Sequence, residues 1–337
     1  MHFPQLTQED IEVIFDDLQH KNVLIIGDVM LDAYLWGTVS RISPEAPVPV
    51  VLLNKKEQRL GGAANVAMNI RMMGANPVLC SIIGNDTDGE LFLDLLSQSG
   101  ISTSHILKIK NRPTTVKTRI MGNGIQQLIR VDSETEDQLN PNDKSRLLES
   151  ILTVLPDADV IIFQDYDKGL ITEDLIHHVV EEARTKNIPT IVDPKKRNFH
   201  FYHHVSLFKP NLKELREGMN ISVERPVTLE NLKLASEKVF EKMKVEKLMI
   251  TLSEEGIYIS DQKEAMLIPS HKRNIFDVSG AGDTVVSVAA LALAADLEPA
   301  LIAEFSNIAG GLVCEKVGVV PIDKESFLQE CCRLLIR

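Results

Sequence analysis

Short apolar runs that end in glycine or a polar residue recur along the chain. Residues 23–26 lead into Gly27-Asp28, and residues 78–83 lead into Gly84. Further runs at 160–163, 190–192, 205–208 and 248–250 end at Gln164-Asp165, Asp193, Lys209-Pro210-Asn211 and Thr251. Such short β-rich runs read as strands buried on both faces. Between them lie helical patterns. Residues 88–99 are closed by Gly100, and residues 172–186 are opened by Thr172 as an N-cap. Alternation of this kind predicts an α/β protein with a parallel sheet and helices on both faces. Ligands in that architecture bind beyond the carboxyl ends of the strands, where Asp28, Asp165, Asp193, Asn211 and Thr251 fall.

Two segments break the rhythm. Residues 39–53 carry Pro44, Pro47 and Pro49 among β-branched residues, which excludes helix and predicts extended or edge structure. Residues 114–132 alternate around Gly122-Asn123-Gly124, a hairpin signal. Together the two are expected to form a small sheet that projects as a lid; ordinary surface hairpins are the alternative. The chain shows no internal repeat, low-complexity tract or linker.

The densest candidate chemistry lies in Asp277-Val278-Ser279-Gly280-Ala281-Gly282-Asp283-Thr284, just before an apolar run. Small residues let a backbone turn approach a ligand closely. The helix that follows aims its unpaired N–H groups and positive dipole end at that ligand, which suits a phosphate. Asp283, placed among those donors, can orient a hydroxyl for attack. Gly61-Gly62-Ala63-Ala64-Asn65 opens a helix running to Met73 and capped by Gly74, and Asn65 offers both donor and acceptor to a polyol. This is not the dinucleotide pattern GxGxxG. Asn211-Leu212-Lys213-Glu214 follows a strand end, with amide and carboxylate three apart on one helix face, positioned to hold magnesium-bound water near a polyphosphate. Each motif has a plain structural alternative: a glycine turn capped by Asp, a small-residue helix start, a helix cap with a solvated Glu.

Composition narrows the field. With 337 residues and 44% hydrophobic content, the chain can bury a large core. The net charge of −12 argues against a broad nucleic-acid or anionic-membrane surface, yet leaves room for a small basic pocket. Cys80, Cys314, Cys331 and Cys332 show no metal-type spacing, which fits a reduced, cytoplasmic setting. The acidic N-terminal stretch, residues 1–21, does not resemble a signal peptide. The paired histidines His177-His178 and His203-His204 lack supporting metal ligands and are expected on the surface.

The motifs carry a resemblance. Gly61-Gly62-Ala63-Ala64-Asn65, Asn211 with Glu214, residues 251–256 and residues 277–283 occur in the order of the ribokinase-like carbohydrate kinase family, from about residue 20 onward. Residues 27–32, the proline-bearing residues 40–50, residues 126–130 and Asp165-Tyr166-Asp167-Lys168-Gly169 are similar to the branch of that family acting on heptose 7-phosphates. The HxGH signature of the adenylyltransferase domain often fused to that branch does not occur, so the chain resembles the free-standing kinase.

The resemblance implies a ribokinase-like three-layer sandwich, with a mostly parallel central sheet and a lid from about 34–60 and 112–132 in a single domain of 1–337. It implies ATP and Mg²⁺ as cofactors, with room for K⁺, and a homodimer formed through the lid. Gly280, Ala281 and Gly282 would supply N–H groups for the moving phosphoryl charge. Asp283 would take the proton of the sugar's anomeric hydroxyl, as a weak base whose ionised form the helix N-terminus favours. Asn211, Leu212, Lys213, Glu214, Thr251, Ser253 and Gly256 would form the nucleotide site, with Asn307 near the adenine and magnesium held by Glu214, through water. Ser253 stands where glycine is common elsewhere in the family. Asp28, Asp32, Gly61, Gly62, Asn65 and Asp193 would face the sugar. Lys168 and Lys195 would meet its phosphate, with Arg41, Arg119 and Arg130 available from the lid. Tyr34 and Trp36 are expected to pack at the lid hinge, and Asp277 with Ser279 would form the monovalent-cation site. Two alternatives remain: another sugar or sugar-phosphate kinase of the same fold, and a non-catalytic metabolite-sensing relative.

Overall fold

A computed structural model describes residues 6–124, 126–224 and 226–336. The first five residues of the acidic N-terminal stretch and residue 125 of the expected hairpin lie outside the described residues. The strands are β1 (Asn22–Gly27), β2 (Val29–Ile42), β3 (Pro49–Gly62), β4 (Asn76–Gly84), β5 (Ile106–Ile109), β6 (Val116–Gly122) and β7 (Gln126–Ser133). They continue with β8 (Val160–Gln164), β9 (Thr190–Asp193), β10 (Leu207–Phe208), β11 (Lys247–Thr251), β12 (Ile257–Ser260) and β13 (Ala265–Ile268). The helices are α1 (Gln8–Gln19), α2 (Ala63–Met72), α3 (Thr87–Gln98), α4 (Pro141–Val154) and α5 (Glu173–Thr185). After them come α6 (Leu212–Met219), α7 (Leu229–Met243), α8 (Ala281–Ala294), α9 (Pro299–Val313) and α10 (Lys324–Leu335).

Nine strands form the central sheet in the order β13-β12-β11-β10-β9-β8-β1-β4-β5. Pairing is parallel from β11 to β5, and β12 pairs antiparallel with both β11 and β13, so β12 alone runs against the rest of this sheet. The continuous apolar runs follow from this position. In β1, Val23 and Ile25 enter one core while Leu24 and Ile26 enter the other; in β8, Val160 and Ile162 oppose Ile161 and Phe163 in the same way. Helices α1, α2, α3, α8, α9 and α10 cover the first core, and α4 to α7 cover the second. The expected three-layer ribokinase-like sandwich is therefore present.

The lid is a separate four-stranded sheet, β3-β2-β6-β7. Residues 39–53 are not one extended segment. A turn bearing Pro44 and Pro47 joins two long antiparallel strands, with Pro49 at the first position of β3, where a missing N–H is tolerated. The lid also starts earlier than residue 34, because β2 begins one residue after β1. Asp28 is the hinge: its N–H donates to the Gln164 carbonyl at 3.2 Å and its carbonyl accepts the Ala63 N–H at 2.9 Å. Gly62, at φ +61°, closes β3 against that carbonyl, where a side chain would collide. Core strand, lid and α2 thus meet at one point. Among the described residues no helix is long and apolar enough to cross a membrane.

Candidate active site

The strand ends place Asp28, Asp165, Asp193, Asn211 and Thr251 along one edge of the sheet, as the alternation predicts. The N-terminus of α8 meets that edge. Its N-cap, Gly280, has φ +81°, a left-handed conformation natural to glycine, and no side chain caps the first turn. Ala281 departs from expectation, since its N–H closes the turn onto the Val278 carbonyl at 3.2 Å. The N–H groups of Gly280, Gly282 and Asp283, around that uncapped first turn, are the ones left to an anion.

Asp283 is 5% exposed and held from three sides. Asn65 Nδ2 donates to Oδ2 at 2.8 Å, while the Tyr166 hydroxyl and Gln164 Nε2 donate to Oδ1 at 2.6 and 3.1 Å. Burial raises its pKa to about 6, against the opposing bonds from Asn65 and Tyr166 and with further upward pressure from Asp193 and Asp32. Desolvation thus outweighs the bonds that favour the ionised carboxylate and holds it above its ordinary value. Behind it, Gln164 also reaches Asp193 at 3.4 Å, and the buried Lys209 ammonium lies 3.2 Å from the same carboxylate.

On one side of Asp283 opens a cavity of about 670 Å³, lined by Asn211, Thr251, Ser253, Gly256, Ala281, Gly282 and Asn307 among others. That volume suits a small-molecule ligand. Gly256 has φ +97° and Ser253 has φ +56°, so Ser253 occupies a left-handed position where glycine costs less. On the other side stands the lid. Tyr34 stacks on Trp36 with centroids 5.7 Å apart, and the guanidinium groups of Arg59 and Arg119 lie 5.2 and 5.3 Å from the Tyr34 ring. Lys117 and Lys195 stand 5.6 and 5.7 Å from the Tyr166 ring.

Known proteins share this plan. The description of the pfkB family carbohydrate kinase matches residues 20–325. The chain belongs to that family. Bifunctional protein HldE of Methylobacillus flagellatus is 39% identical over 326 residues, covering 95% of this chain and 66% of that protein. The HldE of Helicobacter pylori strain J99 is 37% identical over 298 residues, covering 88% and 64%. The chain thus spans about two thirds of the length of the curated relatives it matches. Phosphofructokinase-2 from Escherichia coli, solved in complex with potassium, aligns with a TM-score of 0.78 at 18% identity, over 94% of this chain and 100% of that one. Arabidopsis thaliana ribokinase complexed with ribose and ATP gives 0.71 at 18% identity, over 92% and 98%. These two likenesses establish the fold. The family makes the chain a carbohydrate kinase, an ATP-dependent phosphotransferase.

In this pfkB kinase several expected ligands have structural employment. Asp28 is 3% exposed, and its oxygens accept the backbone N–H groups of Tyr166, Lys168 and Leu170 at 3.0, 3.1 and 3.4 Å. It shapes the loop after β8, and burial together with Asp165 raises its pKa to about 6. Asp32 is ion-paired with Arg119. Gly61 lets β3 pass the Asp32 carboxylate, with which a side chain would collide. Leu212 packs in the core, and Lys213 points outward, 3.8 Å from Glu217. Asn211 and Glu214 form a capping box on α6, and Glu214 also pairs with Lys195. Lys168 is tied to Glu134 at 2.8 Å, Arg130 to Asp132 at 2.9 Å, and Arg41 is exposed far along the lid. Burial pushes the Asp277 carboxyl up, but N–H bonds from Ser279 and Gly318 at 2.9 and 2.8 Å win and hold it below its ordinary value.

The sequence reading missed Gln164, Tyr166, Lys209 and Lys117 as site residues. Gln164 and Lys209 sit directly at strand ends, a signal that position alone carries. Tyr166 and Lys117 gain their place only when loop and lid fold over the sheet.

Proposed function

We propose that this kinase transfers the γ-phosphoryl group of ATP to the anomeric hydroxyl of D-glycero-β-D-manno-heptose 7-phosphate, giving the 1,7-bisphosphate. The product would feed ADP-heptose and lipopolysaccharide core or surface-glycan synthesis in the cytoplasm. The observation that carries the reading is the position of Asp283, a buried carboxylate at an open helix N-terminus between a nucleotide-sized cavity and a cation-bearing lid.

A loose phosphoryl-transfer transition state needs placement and charge stabilisation more than covalent chemistry. Gly282 and Asp283 N–H groups stabilise charge on the transferring oxygens. Asp283 accepts the proton of the attacking hydroxyl, with Asn65, Gln164 and Tyr166 fixing its orientation. Thr251, Ser253, Gly256 and Asn307 line the nucleotide's cavity beside Asn211. Magnesium, when bound with the nucleotide, supplies charge neutralisation on the phosphates. The donor set fits it: Glu214 beside Asn211 offers carboxylate lone pairs for metal-bound water, the mode magnesium favours. Asp277, held ionised beside Ser279, fits a monovalent cation.

Phosphorus NMR of the product tests the reading. Two phosphate signals, one on the anomeric carbon, are expected with heptose 7-phosphate and ATP. Phosphorylation at any other carbon, or equal rates with unphosphorylated heptose, leaves only the broader sugar-kinase reading.

A further inference from the structure

The cations around the sugar side of the cleft are unequal. Arg119 is neutralised by Asp32, Lys168 by Glu134 at 2.8 Å and Glu136 at 3.7 Å, and Lys195 by Glu214 with Asp193 4.0 Å away. Lys117 differs. On β6 it lies opposite Asp32 of β2 and Asp132 of β7 in the strand register. Both carboxylates are already taken by arginines, Asp32 by Arg119 and Asp132 by Arg130 at 2.9 Å. Among the described residues no carboxylate comes within ion-pair distance of the Lys117 ammonium. Its contact is the Tyr166 ring, 5.6 Å from Nζ to centroid.

A half-buried ammonium with no carboxylate in direct contact is costly: burial lowers the Lys117 pKa, and the more distant Glu134, Asp32 and Asp132, each paired with another cation, only partly oppose that. An arriving anion would restore the balance. Tyr166 also sets the distance. Its hydroxyl touches Asp283 at 2.6 Å while Lys117 stands at its ring, so one tyrosine side chain separates Asp283 from the cation that lacks an ion-pair contact. A sugar lying along that ring presents one end to each.

We propose that Lys117 is the specificity-determining cation of this kinase, binding the phosphate of a sugar phosphate whose opposite end offers its hydroxyl to Asp283. The inference rests on the kinase reading, but not on the sugar being a heptose. The lid thereby selects phosphorylated over free sugars through one lysine, while Lys168 and Lys195 hold loop and helix in place.

The test compares wild type with Lys117→Met and Lys117→Arg in the full chain, on a panel of sugar phosphates including heptose 7-phosphate. Losing a charge-assisted bond predicts a roughly 10–100-fold loss of kcat/KM for the accepted sugar phosphate in Lys117→Met. Most of it should appear in KM, as befits uniform binding, and Lys117→Arg should recover part. Unchanged Tm and ATP affinity exclude a folding cause; if Lys117→Met lowers Tm, Lys117→Gln carries the test. A wild-type KM in the folded variant overturns the inference and leaves the heptose reading standing. If wild type instead prefers another sugar phosphate and Lys117→Met loses it, the heptose reading falls and Lys117 keeps its role. If wild type accepts no sugar phosphate, both are overturned.

Discussion

Replacing Tyr166 by Phe removes one hydroxyl from Asp283 and leaves the ring beneath Lys117 and Lys195. The lost bond is short, 2.6 Å, buried, and made to a carboxylate. Hydrogen bonds to charged groups contribute roughly 1.5–3 kcal/mol, and about 1.4 kcal/mol corresponds to one pKa unit. Because this bond lowers the Asp283 pKa, its removal raises a value already near 6 by about one to two units. The base works when ionised, so activity is lost as pH falls through its pKa. The acid limb of kcat/KM, which reports the free enzyme, should move from about 6 in wild type to about 7–8 in Tyr166→Phe. At neutral pH the variant loses several-fold, and it recovers at alkaline pH. Full pH–rate profiles with saturating ATP provide the assay. Superimposable limbs, or a loss of the same size at every pH, would refute the assignment of Tyr166 as the group that tunes Asp283.

Asp283→Asn should abolish detectable turnover, losing roughly 10²–10⁴-fold, while ATP binding by calorimetry stays near wild type. Retained turnover would remove Asp283 from proton transfer. Ser253→Gly relieves a left-handed residue at φ +56° and should stabilise the fold by about 1 kcal/mol in urea titrations; a lower midpoint would count against strain there. The lid exposes Ile129 and Val131 on the face turned away from Lys117 and Arg119, so a homodimer through that sheet is expected. Sedimentation at micromolar concentration should show a dimer that Ile129→Asp converts to monomer, and a monomeric wild type would reject it.

Much of the scaffold was legible because local pattern and tertiary role coincide. The uninterrupted apolar runs at 23–26 and 160–163 read as doubly buried strands, and each does alternate between two cores. Thr172 and Gly280 announce helix starts through side-chain oxygen and backbone freedom, and the chain uses both as such. The small-residue turn before Asp283 likewise located the uncapped start of α8, the kind of helix terminus whose free N–H groups suit an anion.

Charge assignments were decided elsewhere. From sequence, Lys168 and Lys195 stand out as phosphate partners by their places just past strand ends, and Lys117 does not stand out at all. Only the folded chain brings Glu134 to Lys168 and Glu214 to Lys195, from 34 and 19 positions away, and pairs the carboxylates near Lys117 with other cations, Asp32 and Asp132 with arginines and Glu134 with Lys168. The same holds for Asp28, which strand-end position marks as a ligand but which the loop after β8 claims with three N–H groups. Asp283 shows the division most clearly. Sequence placed it at a helix terminus that favours its ionised form, whereas its pKa near 6 arises from desolvation where α2, the end of β8 and the loop after it meet around it. Periodicity and turn chemistry act over a few residues, so the sequence alone determined most of the elements and the uncapped glycine turn before Asp283. Desolvation and ion pairing depend on which side chains meet across the fold, so only the tertiary structure decided which charges are free.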